Sequence, residues 1–181
     1  MGYKMVLLPW QTDWAASCGA LQYVYHMMEE QGTLARTLHD GTIENVTEFV
    51  GCLLTKNCMP FLVYSEDGRV AAACWFNHFE GRTCRGHFWV NKQFWGRESV
   101  RIISHVLRTF LHYKRKDSGQ YLFDTVIGIT PASNSLAWRL ITKCGGKVVG
   151  TIPNACHHPH NNQTEDGVLT ATTRETVERS A

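Results

Sequence analysis

The residues of this chain that could do chemistry gather around one join between a strand and a helix. His87 opens the apolar run His87-Phe88-Trp89-Val90 and is a candidate general base; His78 and Glu80, near the end of the preceding apolar run, are weaker ones. The join itself, Asn91 to Ser99, leads into a helix, and a helix N-terminus presents backbone N–H groups and the positive end of a dipole. Trp95, Gly96, Arg97, Glu98, Ser99 and Arg101 are therefore a candidate anion cradle. Cys74 and Cys84 would need a nearby imidazole to act as nucleophiles, and thiols in apolar runs are more often inert. Cys156-His157-His158-Pro159-His160 contains metal-ligating residue types, but in no standard zinc spacing. Pro159 also restricts His158 to extended backbone, so the segment reads as a polar loop and no metal is expected.

The elements that must position these residues follow from hydrophobic periodicity. Tyr3 to Leu8 reads as a strand, and Thr12 or Asp13 can cap a helix whose Leu21, Val24, Tyr25 and Met28 share a face and which ends near Gly32. Thr42 can cap a second helix with the stripe Ile43, Val46, Phe49, Val50, Leu53 and Leu54. Phe61 to Tyr64 and Val70 to Phe79 are strands joined at Asp67-Gly68. The second is apolar on both faces, which predicts a central strand covered by helices on at least one side. Gly81 breaks it, and Thr83 to Val90 pairs back antiparallel. Ile102, Ile103, Val106, Leu107, Phe110 and Leu111 then recur at helical spacing. Asp124 to Thr130 is a strand stopped by Pro131, and a helix capped by Ser133 or Asn134 buries Leu136, Ala137, Leu140 and Ile141 before Gly145-Gly146. Lys147 to Ile152 and Val168 to Thr173 are strands around a loop from Cys156 to Asp166, and the tail from residue 174 to 181 is expected to fray.

Composition sets outer bounds. The 181 residues, 44% hydrophobic and 19% charged, suit one domain spanning 1–181. A net charge of +2 gives no field for nucleic acid, and Lys114-Arg115-Lys116 reads as a solvated helix end. Seven Cys without C-x-x-C spacing suggest free thiols in a reducing compartment, so a cytoplasmic location is expected. Neither a signal peptide nor a membrane-length apolar run is read. Oligomeric state is left open, with a homodimer among the expectations.

The order βααβββαβαβ(β), together with Pro131-Ala132-Ser133-Asn134-Ser135-Leu136-Ala137-Trp138-Arg139-Leu140-Ile141-Thr142-Lys143-Cys144-Gly145-Gly146-Lys147-Val148-Val149-Gly150, resembles the GCN5-related N-acetyltransferase (GNAT) superfamily. Asn134, Ala137, Lys143, Gly145 and Gly150 carry the match by residue, and element order carries it over residues 3 to 173. The resemblance implies an α/β fold, α+β in its segregation: a mixed, mostly antiparallel sheet of six or seven strands with about four helices, splayed between the fourth and fifth strands. It further implies acetyl-CoA as cosubstrate, its pantetheine arm along Phe88 and Val90 and hydrogen-bonded to Asn134, its pyrophosphate on Trp95 to Arg101. The implied reaction is direct attack of an amine on the thioester, the acceptor being a small molecule or a peptide: a polyamine, an antibiotic, a peptide N-terminus or a Lys side chain. Two departures stand out. Either register of the family's phosphate turn puts Glu98 where a small residue belongs, and Ile141 replaces a Tyr that serves many members as general acid. The alternative is therefore a catalytically inactive binding or structural protein on the same fold. The Trp95-Gly96 turn also resembles those of bacteriophage-encoded relatives.

Overall fold

The computed structural model describes residues 2–9, 11, 13–159 and 161–179. Its strands are β1 (Tyr3–Leu7), β2 (Cys58–Ser65), β3 (Val70–Glu80), β4 (Thr83–Val90), β5 (Thr125–Pro131), β6 (Lys147–His158) and β7 (Gln163–Thr173). Its helices are α1 (Trp14–Glu30), α2 (Leu34–Thr37), α3 (Val46–Leu53), α4 (Arg97–Leu111), α5 (Ser135–Lys143) and α6 (Arg174–Arg179). The strands form one sheet in the order β1-β2-β3-β4-β5-β7-β6, antiparallel throughout except between β4 and β5.

β3 explains why the sheet is covered on both sides. Ala72, Cys74 and Phe76 pack into a cluster with Ile102, Val106 and Phe110 of α4, while Ala73 and Trp75 pack with Leu21, Val24 and Met28 of α1 and Phe49 of α3. Successive side chains alternate across a strand, so a strand apolar at every position needs a helix layer on each face. The hairpin from β2 to β3 closes where expected: Gly68 has φ +83 and its N–H reaches the Ser65 carbonyl at 2.9 Å.

Other expectations are corrected. Asn45, not Thr42, caps α3, its Oδ1 accepting the Glu48 N–H at 3.0 Å. Asp40 has already drawn the Thr42 N–H and hydroxyl into a local turn, at 3.1 and 2.8 Å. Asp13 caps α1, and Thr12 lies outside the described residues. The segment Cys156 to Asp166 is the tip of a long hairpin, with Cys156 opposite Glu165 and His158 opposite Gln163. An exposed outer hairpin needs backbone pairing rather than an apolar face, so its polar composition hid it. The C-terminal residues do not fray through 179: Val177 is 1% exposed, and Arg174 donates to the carbonyls of Leu111 and Phe123 and pairs with Asp124. Of the positions expected to be buried on α5, Leu136 is 64% exposed, whereas Leu140 and Ile141 pack against the core.

Candidate active site

The parallel ladder between β4 and β5 is short. Thr83, Cys84 and Arg85 face Thr125, Val126 and Ile127, and beyond Arg85 no pairing between the two strands continues. On its other edge β4 stays paired to β3 as far as Val90 opposite Ala72. The Asn91 N–H donates to the Ala71 carbonyl at 3.0 Å. Strand alternation therefore turns the backbone N–H groups of Val90 and Phe88 away from β3, toward the diverging β5. The two strands part around a cavity of about 420 Å³, walled by Gly86 to Val90, by Ile129 to Pro131, by Trp95, Gly96, Ser99 and Val100 at the start of α4, and by α5.

The turn at the cavity's edge is fixed by side chains whose purpose was not visible in the sequence. Asn91 is buried; its Nδ2 donates to the Val70 carbonyl at 3.0 Å, and its Oδ1 accepts from Gln31 Nε2 at 3.0 Å and from the Gln93 N–H at 3.1 Å. Gln31 Oε1 in turn accepts the Lys92 N–H at 2.9 Å. A single 3-10 turn, Lys92–Phe94, follows, and Phe94 inserts into the core. Gly96, at φ +89, starts α4, and no side chain caps the helix there. The space beside Gly96 is open, and it is the positive φ itself, which L side chains rarely adopt, that suits glycine. Among the described residues, the first-turn N–H groups of α4 are thus left without a side-chain acceptor.

Trp95 donates its indole N–H to the Val90 carbonyl at 2.9 Å and lies under Lys92 Nζ, 5.6 Å from its ring. Ser99 Oγ donates to the Gly96 carbonyl at 2.7 Å. Asn134 stands at the N-cap position of α5, but its side chain does not cap the helix and makes no hydrogen bond among the described residues. Its half-buried amide is free at the cavity wall. No Asp or Glu lines the cavity, whereas Arg36, Arg139 and Lys143 do, and none of the three forms an ion pair among the described residues. Arg139 and Lys143 are one turn apart on α5, on its cavity side near the start of α4.

No protein-family model and no curated protein matches the sequence. Solved structures match the fold. The spermidine N-acetyltransferase of Vibrio cholerae, in complex with CoA and spermine, gives a TM-score of 0.66 at 12% identity over 97% of this chain and 98% of that one. An acetyl transferase of Salmonella typhimurium that modifies the N-terminal serine of a 50S ribosomal subunit protein gives 0.71 at 13% identity over 94% of each chain. Mycobacterium smegmatis RimJ, in complex with CoA-disulfide, gives 0.65 at 12% identity over 96% of this chain and 82% of that one. This chain has the GNAT fold.

Within that GNAT fold, the structure gathers most of the expected site residues and parts the others from them. His87, Phe88, Val90, Trp95, Gly96, Ser99 and Asn134 all line the cavity. Arg97, Glu98 and Arg101 do not. Glu98 accepts from the Tyr3 hydroxyl on β1 and from Arg101 Nη1, the latter at 2.6 Å. The Tyr3 hydroxyl and Arg101 hold the Glu98 carboxyl below its ordinary range, and burial beside that carboxylate pushes the Tyr3 phenol up to about 12. The carboxylate thus faces β1 and not the cavity, because a phenol and a guanidinium there satisfy it.

His87 is stacked on Trp75, 5.4 Å between ring centroids, and its Nε2 donates to Asn77 Oδ1 at 3.1 Å. Burial holds its pKa down to about 4, so the ring is neutral and weakly basic at pH 7. His78 and Glu80 are exposed at the far end of β3, beside a bulge where His78 has φ +48, and neither lines the cavity. Ile141 faces a smaller pocket of about 40 Å³ between Gly86 and Gly128. Burial pushes the thiols of Cys74 and Cys84 up, the latter to about 12, which makes both poor nucleophiles. At the hairpin tip, His158 pairs with Glu165 at 2.6 Å, while His160 lies outside the described residues. Arg36, Arg139 and Lys143 were missed because residues on polar helix faces usually meet only solvent. The spacing of Arg139 and Lys143 was the available signal.

Proposed function

We propose that the protein is an N-acyltransferase that takes its acyl group from a CoA thioester, acetyl-CoA first among them, and delivers it to an amine. The observation that carries this reading is the divergence of β4 from β5 after three paired residues, which aims the backbone of Phe88 and Val90 into a cavity with cations and no carboxylates on its wall. Four features of the wall suit such a cosubstrate. Strand-like backbone groups and the free Asn134 amide match the amides of a pantetheine arm. The uncapped start of α4 matches a phosphate, and Arg139 and Lys143 add the positive charge that a diphosphate requires.

A thioester supplies an activated acyl carbon. The chain's residues orient the reactants: the Val90 N–H is placed to donate to an oxygen gaining negative charge, a role worth several kcal/mol where it operates. Nitrogen forms a bond to the acyl carbon, the carbon–sulfur bond breaks, the amine's proton passes to water, and the thiolate takes up a proton from solvent. Water serves at both ends because His87 is too weak a base and Ile141 has no proton to give. The test is transfer itself. With acetyl-CoA and a panel of amines, mass spectrometry should find acetylated product and free CoA in equal amounts, and the variant Asn134→Ala should lower the rate at sub-saturating acetyl-CoA. Binding of CoA with no turnover of any amine or peptide would favour a second reading, a ligand-binding protein without catalysis, which the state of His87 and the identity of Ile141 support.

A further inference from the structure

The cavity's wall draws residues from both faces of the sheet, which gives it a mouth on each, and the two differ in the cations they carry. Arg139 and Lys143 belong to the mouth beside α4 and α5. The other mouth lies on the face covered by α1 and α3, where Thr33 is tied to β4 by the Trp89 indole N–H, which donates to Thr33 Oγ1 at 3.0 Å. There Thr33, Arg36, Thr37, His39 and His87 form the wall. Burial lowers the pKa values of both histidines, which leaves them neutral at pH 7. Two carboxylates act on this mouth from outside its wall, Asp40 on both histidines and Glu165 on His39, and both are hydrogen-bonded where they stand. Asp40 Oδ1 accepts from the Thr42 N–H and hydroxyl. Glu165 accepts from the Ser133 N–H and hydroxyl, each at 2.7 Å, and from His158 at 2.6 Å. Among the described residues, Arg36 is the one fixed charge that forms this mouth's wall, and it has no carboxylate partner.

We infer that the acceptor is an amine that also carries an anionic group, a carboxylate or a phosphate, which pairs with Arg36 while the amine reaches the splay beside His87. This rests on the acyl-transfer reading above and narrows its acceptor. A guanidinium fork suits either oxyanion bidentately. A polyamine would instead bring a second positive charge toward Arg36, with no carboxylate among the described residues of the wall. The same fold in the Vibrio cholerae spermidine N-acetyltransferase therefore does not bring its acceptor with it.

Four probes test the inference: 4-aminobutyrate, 3-aminopropylphosphonate, 1-aminobutane and spermidine, each assayed for acetyl transfer at saturating acetyl-CoA. The two anionic amines should show kcat/KM at least about tenfold above the other two, the size of one charge-assisted contact. Arg36→Gln should erase that preference while acetyl-CoA affinity stays within about twofold of wild type. Equal or better use of spermidine or 1-aminobutane, or an unaltered preference in Arg36→Gln, overturns the inference. If no probe turns over, thermal shifts with the same four, with and without CoA, read acceptor preference without chemistry. Larger shifts with the anionic pair, lost in Arg36→Gln, support it, and equal or absent shifts refute it. Failure of acetyl-CoA to bind would strike the acyl-transfer reading alone, since the shifts without CoA still report on Arg36.

Discussion

At the scale of single residues, cations and a neutral imidazole shape the site more than any acid does. Arg139→Ala and Lys143→Ala should each weaken acetyl-CoA binding about tenfold, roughly 1.4 kcal/mol, and added salt should narrow the gap to wild type. Titration calorimetry at two ionic strengths reads both effects. Glu98→Gln should change the same affinity by no more than about threefold, because a carboxylate held by Tyr3 and Arg101 on the β1 side already has its counter-charge. A gain beyond tenfold would show instead that Glu98 repels the ligand. For His87 the sign follows from its pKa, lowered from 6.5 to about 4 by burial. The unfolded chain takes up that proton more readily than the folded one between those values. The stability that neutral His87 gives is therefore complete above about pH 6.5 and lost as pH falls toward 4. Melting temperatures of His87→Asn and wild type should converge at the acid end of that window, and the variant should keep its activity within about tenfold.

At the scale of elements, the join from β4 to α4 and the ends of the short helices decide where these residues stand. The start of α4 was legible because Trp95-Gly96 separates a strand period from a helix period. The network that fixes the turn was not, because Asn91 and Gln31 are 60 residues apart in sequence. The C-terminus of α5 was legible for a physical reason: Gly145 has φ +95, and the Gly146 N–H reaches the Ile141 carbonyl at 2.9 Å, the helix stop that a Gly pair signals. Gly145→Ala should cost about 1 kcal/mol in chemical denaturation through its left-handed backbone. α6 was not legible, since the sequence from Arg174 onward looks like a polar tail. Its apolar anchor is Val177, and Val177→Ala should destabilise by about 2 kcal/mol, whereas a frayed tail would show no change.

At the scale of the whole molecule, the sheet gives the site its shape and the sequence disclosed its order. Strand periods, the Asp67-Gly68 turn and the doubly apolar β3 were enough to place β1 to β5 in sequence, and the Asn134 segment marked the helix beside the gap. The three-dimensional splay left no local trace, because it depends on where pairing between β4 and β5 stops. The cavity's charge was hidden for the same reason: Arg36 and Arg139 are far apart in the chain and meet one space only once both faces of the sheet are covered. The most direct test of an acyl-CoA site between β4 and β5 is titration of acetyl-CoA into the wild-type protein and into the Arg139→Ala/Lys143→Ala double variant. The expected result is saturable one-site binding to wild type, weakened about a hundredfold in the double variant if the two contacts add. No binding at millimolar acetyl-CoA, or equal binding by both proteins, would contradict it.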